Sequence, residues 1–307
     1  MVTQFCARQI EEYETLLQHQ TTLMLILCVL NLVFPIVAIL GNLLVIRALW
    51  KASSIPATLK TLFLSLAVSD LAMGLFAQPL YGAVIAVMFK MTVTGDYNSD
   101  LFCPSVVIIC LFSLFFLACT SLLHVTFIAF DRLLTIFLHL RYQELVTPNR
   151  VSIALVCLWL TSGAAASIFI LLPNNNDRVS EVFELIGLLI TTVAYFRIYK
   201  TVRRHQNQIQ SQCQTLNAQA MEALRERKSA INALIVYIVF LACYVPYLCC
   251  TILLLVDKLR VSFLAGYQIS LFLILLNSSI NPLVYCWRYR EIRHISKNIV
   301  KDILRIA

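Results

Sequence analysis

Asn281-Pro282-Leu283-Val284-Tyr285 closes the last of seven long apolar stretches in this chain, and Phe130-Asp131-Arg132 closes the third. Polar and charged groups are costly in hydrocarbon, so within a spanning segment they mark function. The stretches run near 23–46, 57–89, 101–130, 151–173, 182–199, 230–256 and 262–287. A helix rises ~1.5 Å per residue and a bilayer core is ~30 Å thick, so ~20 residues suffice to cross it. The fifth stretch is the weakest, because Glu181 and Glu184 fall in its first turns. Of 307 residues 60% are hydrophobic and only 13% charged, a balance foreign to soluble domains. The expected fold is an all-α membrane protein: a bundle of seven transmembrane helices followed by an amphipathic eighth helix.

Lysine and arginine set the orientation. Seven spans place 19 of the 24 basic residues on the side that holds 288–305, and five on the side of the N-terminus: Arg8, Lys90, Arg178, Lys258 and Arg260. Basic residues stay in the cytoplasm, which predicts a plasma-membrane protein with its N-terminus outside and its C-terminus inside. The formal charge of +8 is therefore a topology signal and gives no support to nucleic-acid binding. Residues 1–22 read as an extracellular N-terminus, 23–287 as the spanning domain and 288–307 as a cytoplasmic amphipathic helix and tail. Residues 1–20 carry Glu11, Glu12 and Glu14 without an apolar core, so no cleavable signal is expected there. Of eleven cysteines, only Cys6 and Cys103 clearly face the oxidising side, and a bridge between them is left open.

The inner loop near 200–229 has neither Gly nor Pro and is expected to extend the fifth and sixth helices into the cytosol. Past Tyr285, Ile292, Ile295, Ile299 and Ile303 recur at helical spacing among Arg290, Arg293, Lys297 and Lys301, the pattern of a helix on the inner leaflet. No phosphate loop, zinc-protease motif or nucleophile elbow occurs, so an enzyme is not expected.

The polar residues recur helix by helix: Gly41-Asn42 in the first, Ser69-Asp70 in the second, Asp131-Arg132 in the third and Trp159 in the fourth. Cys243-Tyr244-Val245-Pro246 follows in the sixth, and Asn277-Ser278 with the Asn-Pro-x-x-Tyr run in the seventh. In kind and order they resemble the rhodopsin-like (class A) G-protein-coupled receptors over roughly residues 22–305. The resemblance implies a cell-surface receptor that passes the binding of an extracellular ligand to a heterotrimeric G-protein by outward movement of helix six. The alternative is a seven-helix transporter or channel, which needs charges or broken helices lining a path.

Residue by residue, Asp70 needs partners or a proton at its depth. Ser121, Asn277, Ser278, Asn281 and Asn42 are expected to converge on it. Hard oxygen ligands suit a small hard cation, and the resemblance implies a sodium pocket; a neutral Asp70 in a hydrogen-bond network is the other reading. No other cofactor is expected. Arg132, beside Asp131, is expected to pair with Glu226, twenty residues before Pro246 and so ~30 Å along the sixth helix. Pro246 and Pro282 remove backbone hydrogen bonds and hinge their helices, with Phe240 below the first and Tyr285 below the second. By resemblance Leu140 joins Arg132 in contacting the G-protein; a solvent-exposed leucine is the plain reading. Ser296 is the single serine or threonine of the tail after Tyr285, which makes strong arrestin binding unexpected.

Four departures stand out: Leu133 replaces the family's Tyr, Tyr244 its Trp, Gly187 its fifth-helix Pro, and the second outer loop has no cysteine. The chain shares several of these absences with the branch holding melanocortin, lysophospholipid and cannabinoid receptors, with adenosine receptors nearby. Leu114 stands where amine receptors carry an aspartate, which speaks against a monoamine. The ligand cavity is expected between Gln78, Tyr81, Leu114, Phe115, Glu184, Tyr244, Tyr247, Gln268 and Phe272. Its lining suits an amphiphilic small molecule or a peptide.

Overall fold

A computed structural model describes residues 2–94, 106–138, 141–171, 176–212, 217–257 and 260–306. Side chains at 2–9, 136, 143, 176–181, 202, 204–212, 217–233 and 305–306 lie outside the described residues. Seven helices are long and apolar enough to cross a membrane: Thr21–Lys51, Ala57–Thr94, Ile108–Thr135, Pro148–Leu171, Val182–Thr201, Leu234–Val256 and Val261–Arg288. They are numbered here as spans one to seven. A spanning helix satisfies its backbone within itself, which is why segments apolar on every face adopt it in hydrocarbon. The outward faces carry an apolar belt, with Leu40, Leu160 and Phe196 each more than half exposed.

Local chemistry sets the breaks. Pro148 opens span four at the first helical position, where its missing N–H is no loss. Tyr289 takes an extended conformation (φ −102°, ψ 105°) and divides span seven from the helix Arg290–Ile306. Span two passes through a π-turn at Met73–Ala77, immediately before Gln78-Pro79. Pro79 has no N–H to donate to the turn before it, so the ladder is re-spaced there.

Span three is the hub, packed against spans two, four, five and six, while span seven is wedged between spans one and six. Gly41 lets spans one and seven approach: a Cβ at that position would stand 3.0 Å from the Pro282 side chain. Gly187 does the same between spans five and three, where a Cβ would meet buried Leu122 at 2.8 Å.

The structure adds three details to these expectations. The helix that carries span five runs Asn176–Gln212, so it starts before the apolar stretch at 182–199. Within residues 1–22, Val2–His19 is a helix packed on spans one, two and seven. In Arg290–Ile306, Ile292 is buried in the central core with Ile295 packed against it, Ile299 is buried as well, and only Ile303 of the four isoleucines is exposed. The extension of spans five and six by Asn176–Gln212 and Asn217–Val256 is as expected.

Candidate functional site: a polar chain through the bundle

Asp70 is fully buried on span two. A carboxylate at that depth must have partners, and span seven supplies them. Ser278 Oγ donates to Asp70 Oδ1 and Asn281 Nδ2 to Oδ2, each at 2.8 Å. Asn42 does not bond to the carboxylate; its Nδ2 donates to the Ser278 carbonyl at 3.0 Å and to that of Ala38 at 2.8 Å. Ser121 and Asn277 are also buried, but no hydrogen bond joins either to Asp70. Of the five groups expected to converge, two bond directly and one acts through Ser278. Asn42 Oδ1 and Asn277 Oδ1 are buried without a hydrogen-bond partner among the described residues. Carboxylate, hydroxyl and amide oxygens are the donor set that a small hard cation takes.

Below Asp70, Tyr285 is fully buried with its ring 5.0 Å from that of Phe63 on span two. It packs between spans seven and two. Phe240 stacks on Tyr244 at 3.9 Å one turn before Pro246, and the Tyr244 hydroxyl donates to the Ala118 carbonyl of span three at 3.2 Å. Spans five and six meet through the Tyr195–Tyr237 stack at 4.3 Å and a Thr192–Tyr237 hydrogen bond of 2.5 Å.

At the C-terminal end of the bundle, buried Arg132 donates from Nε to Asp131 Oδ2 at 3.0 Å, and its Nη2 forms an ion pair with the same oxygen. The other carboxylate oxygen accepts from the Tyr142 hydroxyl at 2.5 Å, and Tyr142 also bonds Thr58 of span two at 3.1 Å. Burial and the facing Asp131 push the Tyr142 phenol above its ordinary value. Glu226 lies on the helix Asn217–Val256, but its side chain is outside the described residues, as are Leu140 and the Cys6–Cys103 pair.

The side chains expected to line the ligand cavity fall in several parts of the packed bundle. Tyr81, Leu114 and Phe272 belong to the core between spans one, two, three and seven. The Tyr81 hydroxyl donates to Gln268 Oε1, and Gln78 Nε2 donates to Asn31 Oδ1 at 3.4 Å. Phe115 packs with Cys119 and Ala166 and stacks on Phe169 at 4.7 Å. Tyr244 and Tyr247 join the central core. Glu184 is 4% exposed and within electrostatic reach of Cys119 and Tyr244, so it faces spans three and six rather than water.

Sequence reasoning missed a second buried relay. His124 Nδ1 donates to the Thr120 carbonyl at 2.7 Å, which leaves Nε2 to accept from the Ser65 hydroxyl at 2.7 Å. Trp159 Nε1 donates to the same Ser65 oxygen at 3.1 Å, so one serine ties spans two, three and four. The signal was present as a histidine in the middle of an apolar span. Also missed was Glu291, whose carboxylate accepts from the Ser53 amide at 2.8 Å and the Ser54 amide at 3.1 Å. The Ser54 hydroxyl and those amides hold this carboxyl below its ordinary range.

The family described as "7 transmembrane receptor (rhodopsin family)" matches residues 41–183 and 179–285. Melanocortin receptor 4 of Danio rerio is 27% identical over 283 residues, covering 87% of this chain and 82% of that receptor. Histamine H2 receptor of Cavia porcellus is 28% identical over 302 residues, covering 90% and 78% respectively. Melanocortin receptor 5 of Mus musculus is 26% identical over 288 residues, covering 88% and 82%. Because the family match takes in every span except the start of the first, the chain belongs to the rhodopsin family of seven-transmembrane receptors and is a multi-pass G-protein-coupled receptor.

Proposed function

We propose that this receptor stands in the plasma membrane with helix Val2–His19 outside and Arg290–Ile306 in the cytoplasm. It couples to a heterotrimeric G-protein by outward movement of span six about Pro246. The observation that carries the reading is the Asp70–Ser278–Asn281 junction, which fixes span seven on span two at the centre of the bundle. A change of position at the mouth shifts that junction, and the population moves between two packings. When span six swings out, the Tyr244–Ala118 and Tyr237–Thr192 bonds break and the Arg132 end of span three is uncovered. Glu226 opposing Arg132 biases the closed state, and Arg132 with Leu140 meets the G-protein.

The ligand reading rests on Glu184. Leu114 is buried where a monoamine would need an acid, and Glu184 instead places a buried carboxylate within electrostatic reach of Cys119 on span three and Tyr244 on span six. A non-aminergic amphiphile or peptide with a cationic or hydrogen-bond-donating group fits that environment. Two of the relatives are named for melanocortin and one for histamine, so their names do not select among ligands. All three are receptors, and nothing in them favours a transporter or channel. Asp70, Ser278 and Asn281, with Asn277 and Ser121, would hold sodium as a modulator of the resting state.

The experiment is G-protein recruitment in cells against a panel of lipids, amphiphilic cations and peptides, with sodium varied. Asp70→Asn is expected to abolish the sodium dependence of ligand potency. A sodium effect that persists in that variant removes the ion from the account.

A further inference from the structure

The helix Val2–His19 is joined to span one by Gln20 alone (φ −136°, ψ 42°). The joint is bridged, since the Gln20 amide donates to the Leu16 carbonyl at 2.6 Å and Thr21 Oγ1 to that of Leu17 at 2.6 Å. The helix is thus held at the bundle rather than trailing from it. Tyr13, Leu16 and Leu17 fall at helical spacing on one face and are 7%, 0% and 4% exposed. They belong to the same core as Leu27 of span one, Tyr81 of span two, and Leu264 and Phe272 of span seven. The Tyr13 hydroxyl lies within side-chain reach of Tyr81 and Gln268, the pair that already ties span two to span seven. Glu11, Gln18 and His19 are exposed on the opposite side.

The same two spans are tied at three heights. Tyr81–Gln268 joins them at the mouth, Asp70–Ser278–Asn281 at the centre, and Phe63–Tyr285 toward the base. A side chain that bridges the uppermost tie binds best when spans two and seven keep this separation. Whatever binds one state better shifts the population toward it.

We propose that Val2–His19 is a resident occupant of the mouth between spans one, two and seven, seated through Tyr13, Leu16 and Leu17, and that it holds the receptor in its resting state. An external ligand for this mouth must displace a phenol, so it carries a hydroxyl-bearing aromatic group of its own toward Tyr81 and Gln268. The proposal rests on the outward placement of this end, argued under the proposed function.

The test uses the full-length receptor in intact cells, with an N-terminal epitope to count molecules at the surface. Leu16→Asp puts a charge into the seat, and Tyr13→Phe removes only the hydroxyl. A membrane-impermeant maleimide, mapped by mass spectrometry, reports whether Cys28 and Cys110 become open; both are buried in this core. Leu16→Asp is expected to raise their labelling and to raise ligand-free G-protein activity by about twofold or more, as even a mild core substitution does to a two-state equilibrium. Tyr13→Phe is expected to raise activity by less, with labelling unchanged, and it decides the matter if Leu16→Asp fails to reach the surface. In Leu16→Asp at the surface, labelling that rises while activity stays level or falls overturns the proposal, as does labelling that does not rise; where Leu16→Asp is not at the surface, unchanged activity in Tyr13→Phe overturns it. An epitope silent on intact cells defeats the topology instead, and is read separately from the helix.

Discussion

The two ends of this bundle solve opposite problems. From the centre toward the base, the buried charged groups are bonded into chains: Asp70 by Ser278 and Asn281, Asp131 by Arg132 and Tyr142. Toward the mouth, aromatic and aliphatic side chains pack around a few amides and one buried carboxylate, Glu184. Polar groups in a low-dielectric interior are tolerated when fully paired, and pairing demands particular residues at particular places. Apolar packing demands only volume and shape.

That contrast can be broken most forcibly at Asp131. Asp131→Ala removes the carboxylate that Arg132 and Tyr142 share, and loss of one partner of a buried pair costs about 3 kcal/mol or more. The purified variant is expected to show a markedly lower melting temperature, and an unchanged one would mean the pair is not buried in the membrane. Asp70→Ala comes next. It leaves the Ser278 hydroxyl and the Asn281 amide without their acceptor, at roughly 1–3 kcal/mol for each buried donor. Thermal unfolding in detergent should show the loss, with Asp70→Asn closer to the parent because an amide oxygen still accepts.

Glu184→Gln probes the mouth and should act differently in kind. Stability and ligand-free activity are expected to stay near the parent, while the potency of a cationic ligand falls about tenfold, the worth of a charge-assisted hydrogen bond. Equal potency on both receptors would move the ligand away from span five. The smallest effect belongs to Glu291, at the surface of the base. Its carboxyl sits below the ordinary range when it accepts the Ser53 and Ser54 bonds. The contact therefore stabilises the fold above the ordinary carboxylate range and is lost as pH falls through the lowered folded value. Label pairs on the loop between spans one and two and on the helix Arg290–Ile306 should separate in acid, and Glu291→Gln should be separated already at neutral pH.

Much of the fold is legible in the amino acids alone. Seven apolar stretches can satisfy their backbones in lipid only as helices, so composition and length dictate the bundle. Asp70, Arg132, Pro246, Asn281 and Pro282 stand out because charges and prolines are rare where hydrocarbon surrounds the chain. Which of them touch is another matter. Asn42, Ser121 and Asn277 are as polar as Ser278 and as buried, yet Ser278 and Asn281 alone of this set bond to Asp70, because helix rotation decides which oxygen faces the carboxylate. His124 is a single letter in an apolar run until packing brings Ser65 and Trp159 to it.

The N-terminal helix shows the division most plainly. Residues 1–20 carry three glutamates and no apolar core, and nothing in that stretch by itself predicts a docked helix. Three side chains on one face, Tyr13, Leu16 and Leu17, are nevertheless enough to seat it, once spans one, two and seven offer a surface of the right shape. Sequence determined what lipid demands of each segment by itself, since burial of backbone and charge is a local cost. Tertiary structure decided the pairings across spans, because a hydrogen bond requires two atoms near 3 Å and no stretch of one helix holds the coordinates of another.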